Sequence, residues 1–249
     1  MDSVCFHLFG RPVYWYGLFV AAAFLAGILH LTLLARRERR PAAFVSDLGF
    51  WIMVAGILGA RLAYVLANPG LYRENAWLIL RIDQGGLIFY GGLVGAALAV
   101  CAFAHRRRLP LAELADFVIT ALPLGQAIGR IGCFVNPCCY GKPGGWPWCV
   151  TMADAVRHPT QLYESAACLA IYGLLLLAYR RPKRRPGSIM ALYLVLYPAA
   201  RFILEFWRGD ERLRWGCLTA AQAVSLALAA AGLLMLWGLR SRRGTDPRP

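Results

Sequence analysis

Arg61, Arg130 and Arg201 each stand inside a stretch otherwise apolar enough to span a bilayer. On insertion scales an arginine at a helix centre costs about 2.5–3.5 kcal/mol, so such a cation is normally paired, set against a water-filled cavity or held against an anionic ligand. Three of them in separate segments imply a polar cavity inside a membrane protein. Other polar residues fall at helical spacing around them. Gln126 and Arg130 share a face, as do Arg201 and Glu205, with Arg208 another turn on. An Arg201–Glu205 pair that merely ties helices together is the competing reading of that cation. In RHPTQLYES (157–165), Pro159 suits the first position of a helix, which places His158 and Gln161 on the rim at a positive N-terminus that attracts anions. A histidine that only caps its helix or bonds a loop accounts for His158 equally well.

The elements that must carry these residues follow from composition. Of 249 residues, 59% are hydrophobic and 16% charged, with a mean hydropathy of +0.52, far from the roughly 25% charged of a soluble domain. Runs of bilayer length occur at roughly 13–35, 44–67, 85–104, 112–136, 159–179, 187–207 and 217–239. The expected fold is all-α: a polytopic membrane protein of about seven transmembrane helices, read as one domain over 1–249 because no long linker or internal repeat divides it.

The net charge of +14 does not mark a nucleic-acid surface. Its basic clusters are Arg36, Arg37, Arg39, Arg40; Arg106, Arg107, Arg108; Arg180, Arg181, Lys183, Arg184, Arg185; and Arg240, Arg242, Arg243, Arg248. They fall in alternate loops and the C-terminal tail, which puts the N-terminus outside and the C-terminus in the cytoplasm. The first apolar run lacks a basic segment before it and is expected to be retained as a helix. At 1.5 Å of rise per residue, Arg61, Arg130 and Arg201 then lie at one level, roughly 10 Å inside the outer ends of their helices, with Tyr16 and Tyr90 at comparable depth. The cavity is expected to open outward. In GLIFYGGLVGAA (86–97), Gly91, Gly92 and Gly95 permit close helix approach or close approach of a ligand.

The stretches YWYGL (14–18), GARLAYV (59–65), GGLIFYGGLVG (85–95), GRIGCFVNPCCYG (129–141), HPTQLYE (158–164) and YPAARFILEFWR (197–208) together resemble the prolipoprotein diacylglyceryl transferase family, in family order and over nearly the whole chain. The resemblance implies an enzyme of the bacterial inner membrane that moves the diacylglyceryl group of phosphatidylglycerol to the lipobox cysteine of prolipoprotein signal peptides. A thioether forms and glycerol phosphate leaves, with no cofactor and no nucleic acid. Arginine can stabilise the charge developing on a phosphate leaving group bidentately, without a metal. By the same resemblance Arg130 binds the headgroup and Arg201 is essential, with Tyr90, His158 and Glu205 as further catalytic candidates. Arg61, Tyr16, Asn136, Gly141, Gln161 and Tyr197 are the substrate-binding candidates.

The chain departs from the family pattern at informative places. Tyr90 stands where many members carry a histidine, and a phenol of pKa about 10 is a poor base at neutral pH. That leaves thiol deprotonation to His158, Glu205 or water, with Tyr90 orienting the headgroup. Cys133 replaces the signature asparagine, and the loop between Gly141 and His158 is short. In an oxidising outer compartment a disulfide from Cys149 to Cys138 or Cys139 is expected. No metal is expected, because the cysteine spacing fits no standard pair of C-x-x-C ligands; a thiol shuttle through Cys138 and Cys139 is a further alternative. Two other functions stay open: a related lipid transferase with a different acceptor, and a non-enzymatic anion or lipid transporter. The absence of paired Gly/Pro-broken helices speaks against the transporter.

Overall fold

The computed structural model describes residues 4–8, 11–73, 75–81, 85–152, 155–181, 185–210 and 214–241. Of the basic clusters, Lys183, Arg184, Arg242, Arg243 and Arg248 lie outside those residues. Among the described residues seven helices are long and apolar enough to cross a membrane: Trp15–Arg37, Ala43–Ala67, Phe89–Arg107, Leu111–Val135, Thr160–Tyr179, Ser188–Trp207 and Ala220–Ser241. They coincide with the seven apolar runs. Among the described residues there are also three short antiparallel hairpins, which the sequence does not reveal: β1 (Val4–Leu8) with β2 (Arg11–Tyr14) before the first span, and β3 (Val150–Met152) with β4 (Ala155–Arg157) and β5 (Arg214–Trp215) with β6 (Leu218–Thr219) between later ones.

Contacts divide the chain into two compact units, 1–31 with 116–249, and 32–115. In the second unit, α2 (Ala42–Ala67) packs on α3 (Phe89–Arg107), and the packing depends on missing side chains. A Cβ on Gly91 would strike the Gly59 carbonyl oxygen and the Ala63 Cβ, and one on Gly95 would strike the Ala55 carbonyl oxygen. Two backbones meet here, the arrangement small residues allow within membranes.

The fourth span is broken into α4 (Leu111–Ile119) and α5 (Leu122–Val135). Pro123 is the cause: it has no N–H to give the Ile119 carbonyl, and its ring would collide with that oxygen. The break is stitched in the first unit. Thr120 donates to the Phe117 carbonyl (2.7 Å), so His30 Nε2 donates to Thr120 Oγ1 (2.9 Å) and His30 Nδ1 accepts from the Tyr172 hydroxyl (3.0 Å). Asp116, fully buried, accepts from the N–H groups of Gly187, Ile189 and Met190 and so caps α7 (Ser188–Leu204) from another helix. From there α5, α6 (Thr160–Tyr179), α7 and α8 (Ala220–Ser241) pack each on the next. The start of α1 (Trp15–Arg37) lies along α5, with Phe19 against Gly132 and Ala23 near Gly125.

The glycine seam gives a direct test. Gly95→Val should destabilise the protein by about 3 kcal/mol or more, since the carbonyl it meets cannot rotate away. Gly173→Ala, where a Cβ meets nothing within 4 Å, should leave thermal unfolding in detergent unchanged.

Candidate active site

The first unit gathers most of the chemistry-bearing residues at the ends of α5 and α7 and the start of α6. Arg130, one turn and a half before the end of α5, has Nη2 3.0 Å from Glu164 Oε1 on α6. The same carboxylate oxygen accepts from the Tyr197 hydroxyl at 3.1 Å. Tyr197 is one turn before Arg201 on α7, and its phenol lies within electrostatic reach of Arg130, Glu164 and Arg201 alike. Its ring stacks on Tyr193 (centroids 5.5 Å apart, planes at 4°), whose hydroxyl donates to Gln126 Oε1 at 2.9 Å. Gln126 therefore positions α7 rather than Arg130.

Arg201 is 9% exposed and pairs with Glu205 Oε2 at 2.6 Å, the i,i+4 partner the spacing predicts. The other Glu205 oxygen accepts from Thr219 Oγ1 at 2.8 Å, and Gln222 receives the Thr219 N–H and donates its own to that hydroxyl. The carboxylate, just past the end of α7, is thereby held by Thr219, which Gln222 at the start of α8 fixes in turn. Arg201 Nη1, however, is buried with no hydrogen-bond partner. An unmet guanidinium N–H inside an apolar span is costly unless something anionic comes to it.

Around the two pairs, the start of α6 holds the chain that leaves α5. Pro159 is the residue preceding the helix, one earlier than its expected first position. Gln161 is fully buried, not on the rim: Nε2 donates to the Cys138 carbonyl at 2.7 Å, while Oε1 has no partner. Thr160 Oγ1 donates to the Cys139 carbonyl at 3.0 Å. Asn136, half-buried, ends α5. Gly141 donates its N–H to the His158 carbonyl at 3.0 Å, and a Cβ there would meet that residue's Cβ at 2.7 Å. Its role in the site is close backbone approach. Arg208, 5% exposed, holds Asp210 with Nε and Nη2, both at 2.9 Å, and lies beside Cys139. Tyr16, on the first turn of α1, lies in the neighbourhood of Arg130, Cys133, Cys138 and Cys139.

His158 lines a cleft of ≈ 630 Å³ with Trp146, Trp148, Tyr163, Leu204 and Trp207. Its Nδ1 is 3.1 Å from the Tyr163 hydroxyl and 3.8 Å from Cys149 Sγ. Cys149 is thus a neighbour of His158, and all eight cysteines are free, which corrects the expected disulfide from Cys149 to Cys138 or Cys139. Cys133, Cys138 and Cys139 instead bring their sulfurs within 4.8 Å of one another. The thiols of Cys133 and Cys138, with Arg208, hold the Cys139 thiol well below its usual range.

In the second unit, Arg61 is 8% exposed and spends all five of its N–H groups on backbone. Nε donates to Ile79 O (2.9 Å), Nη1 to Gly85 O (2.9 Å) and Gly86 O (3.0 Å), and Nη2 to Leu78 O (2.6 Å) and Arg81 O (3.1 Å). Gly85 and Gly86 turn their carbonyls inward only because both adopt positive φ, +81° and +72°. The site lining is completed by Tyr64 and Tyr72, whose rings lie 5.8 and 5.6 Å from the guanidinium. No donor of Arg61 is left for a phosphate in this arrangement. Tyr90, on the first turn of α3, is exposed and edge-on to Phe89.

Fold and site together define a multi-pass membrane protein whose first unit sets arginines among carboxylate and tyrosine partners. The chain belongs to the prolipoprotein diacylglyceryl transferase family, whose sequence model it matches over residues 3–238. It is 38% identical over 253 residues to the phosphatidylglycerol–prolipoprotein diacylglyceryl transferase of Symbiobacterium thermophilum, covering 96% of this chain and 94% of that one. The protein of the same name from Finegoldia magna is 34% identical over 235 residues, 94% of each chain. That from Pseudomonas aeruginosa is 36% identical over 264 residues, covering all of this chain and 97% of the relative. Sequence reasoning picked out Arg130, Arg201 and Glu205. It passed over Glu164, although Glu164 stands three residues after Gln161 and an arginine within an apolar span on another helix needs an anion.

Arg61→Lys offers three donors to five carbonyls. It should lower unfolding free energy by about 2–4 kcal/mol while membrane insertion is retained. Thermal unfolding of the purified variant in detergent, together with its membrane yield, checks this.

Proposed function

We propose that Arg130 and Arg201 hold the phosphate of phosphatidylglycerol while its diacylglyceryl group passes to the cysteine thiol of a prolipoprotein lipobox, with release of glycerol phosphate. The observation that carries the assignment is Arg201 Nη1, buried and unpartnered one turn from a tyrosine that also faces Arg130. The headgroup supplies the anion that this nitrogen lacks. Glu164 and Glu205 each engage one nitrogen of a guanidinium, fixing its plane and leaving other N–H groups of the fork for phosphate oxygens. Tyr197 keeps the Glu164 carboxylate in place. Gln161 Oε1, buried without a partner, is placed to accept from a headgroup hydroxyl.

In the reaction the cysteine sulfur attacks the glycerol carbon that carries the phosphate. The new C–S bond forms as the C–O bond breaks, the electron pair leaves on glycerol phosphate, and the two arginines stabilise the charge gathering there. The thiol proton goes to His158 Nε2, with Nδ1–H donating to the Tyr163 hydroxyl, and then to water. The aromatic cleft of Trp146, Trp148 and Trp207 around His158 suits an apolar signal segment that presents its cysteine. The basic clusters in alternate loops support an N-terminus outside and a C-terminus inside, which puts this site towards the outer leaflet of a bacterial inner membrane.

The purified protein incubated with phosphatidylglycerol and a lipobox peptide, without added nucleotide, should add the mass of one diacylglyceryl group to the peptide. The Cys→Ser peptide should stay unmodified, because a hydroxyl is the weaker nucleophile. Arg130→Lys should lower turnover by about 10²-fold or more at normal membrane yield, since a point charge cannot replace a planar fork. Near-normal transfer by Arg130→Lys or Arg201→Ala would overturn the assignment. Consumption of phosphatidylglycerol with no labelled peptide would point to another acceptor, and no turnover at all to an anion-binding protein.

A further inference from the structure

Three cysteine sulfurs converge at the end of α5, and none of them takes part in the lipid chemistry described above. Cys133 is buried in the helix's last turn, while Cys138 and Cys139 sit on the chain that leaves it; all three Sγ atoms lie within 4.8 Å of one another. The convergence is built. Cys139 adopts φ +63°, a left-handed conformation that costs a residue with a Cβ of order 1 kcal/mol or more. Thr160 and Gln161 hold it there through the carbonyls of Cys139 and Cys138, at 3.0 and 2.7 Å, and the Cys138 N–H bonds the Cys133 carbonyl at 3.3 Å. A free loop would relax out of that conformation; this one is pinned from the next helix with its sulfurs facing a common point.

We propose that Cys133, Cys138 and Cys139 form a binding site for one thiophilic d¹⁰ cation, Cu(I) or Zn(II). Three thiolates are soft ligands that select such ions over Mg²⁺ or Ca²⁺. Sulfurs bound at about 2.3 Å in a three- or four-coordinate site stand roughly 3.8–4.0 Å apart, so the cluster needs side-chain shifts of about 1 Å or less. The charges fit as well. Three thiolates around Cu(I) or Zn(II) leave a net negative centre, and Arg208 beside Cys139 and Arg130 near Cys133 face it. Zn(II) would complete four-coordination with water or another exogenous ligand, whereas Cu(I) is satisfied by three sulfurs. The ion would staple the end of α5 to the segment that carries Asn136 and Gly141. The spacing C-x₄-C-C conceals the site, because adjacent cysteines in extended chain point apart; the left-handed Cys139 is what brings the last sulfur round.

The test uses the full-length protein, purified in detergent and kept reduced. In one arm Cu(I) is delivered from a chromophoric chelator; in the other Zn(II) is titrated against a fluorescent chelator. Each is followed by thermal unfolding. A single equivalent should be retained in at least one arm, with a raised unfolding midpoint, and that arm identifies the ion. A variant with Cys5, Cys101, Cys149 and Cys217 all replaced by serine should bind as the parent does. Cys133→Ser/Cys138→Ser/Cys139→Ser should lose the equivalent and the thermal shift, and Cys138→Ser alone, which leaves the buried Cys133 untouched, should weaken binding by about tenfold or more. Undiminished binding by the triple variant, loss of binding in the four-serine variant, or no retained ion in either arm would overturn the proposal.

Discussion

Placing a guanidinium among apolar helices is the constraint on which the rest of this structure turns. A lone arginine at that depth would resist insertion by about 2.5–3.5 kcal/mol, and Arg61, Arg130 and Arg201 meet the problem in different ways. Arg61 is saturated: five carbonyls take five N–H groups, and two positive-φ glycines make that possible. Arg130 and Arg201 are neutralised by carboxylates, and Arg201 keeps a buried nitrogen unmet. The difference separates a cation whose N–H groups are all spent on backbone from cations paired with carboxylates. Depth and residue type alone do not make that distinction; the partners do.

The carboxylates need support of their own, and it comes from neighbouring helices. Glu164 is 2% and Glu205 6% exposed, so each would be untenable as a bare anion in this environment. Tyr197 donates to one and Thr219 to the other, and Thr219 is fixed in turn by Gln222 at the start of α8. Packing of α6, α7 and α8 is thereby tied to the orientation of two guanidinium planes. Polar groups that specify helix register and the carboxylates that pair with Arg130 and Arg201 belong to one network.

Much of the frame was legible because a bilayer imposes a length. Seven apolar runs became seven helices within a few residues, since no other structure satisfies the backbone over that span. The Arg201–Glu205 pair was legible because i,i+4 spacing is local. What escaped was set by distant parts of the chain. Glu164 meets Arg130 only because α5 packs on α6, and Asp116 looks like an isolated acid until it is seen capping α7. The break at Thr120 carried a signal in Pro123, but prolines inside membrane spans are common enough to leave a helix intact. Arg61 was grouped with the other two because its carbonyl partners are backbone and leave no trace in residue types. The disulfide expected for Cys149 failed for a related reason: pairing of Val150 with Arg157 in the β3–β4 hairpin sets Cys149 beside His158, and only the φ of Cys139 reveals where the other sulfurs meet.

If Arg130 and Arg201 hold the donor phosphate, as proposed, the choice of arginine over lysine follows from having to be paired and available at once. An empty site must be close to neutral to insert and stay folded, so each cation keeps its carboxylate. An ammonium that turned towards a phosphate would have to loosen its hold on that carboxylate, because its charge sits on one atom at the end of a flexible stem. A guanidinium spreads its donors around a plane. On the proposed assignment, one nitrogen stays on Glu164 or Glu205 while another edge receives the phosphate, and the ligand is bound without uncovering a buried anion. The stacked Tyr193–Tyr197 pair and the Thr219 hydroxyl hold the carboxylates, and through them the forks, in fixed orientation, so that on the proposed assignment no reorganisation is left for the moment a phosphate arrives.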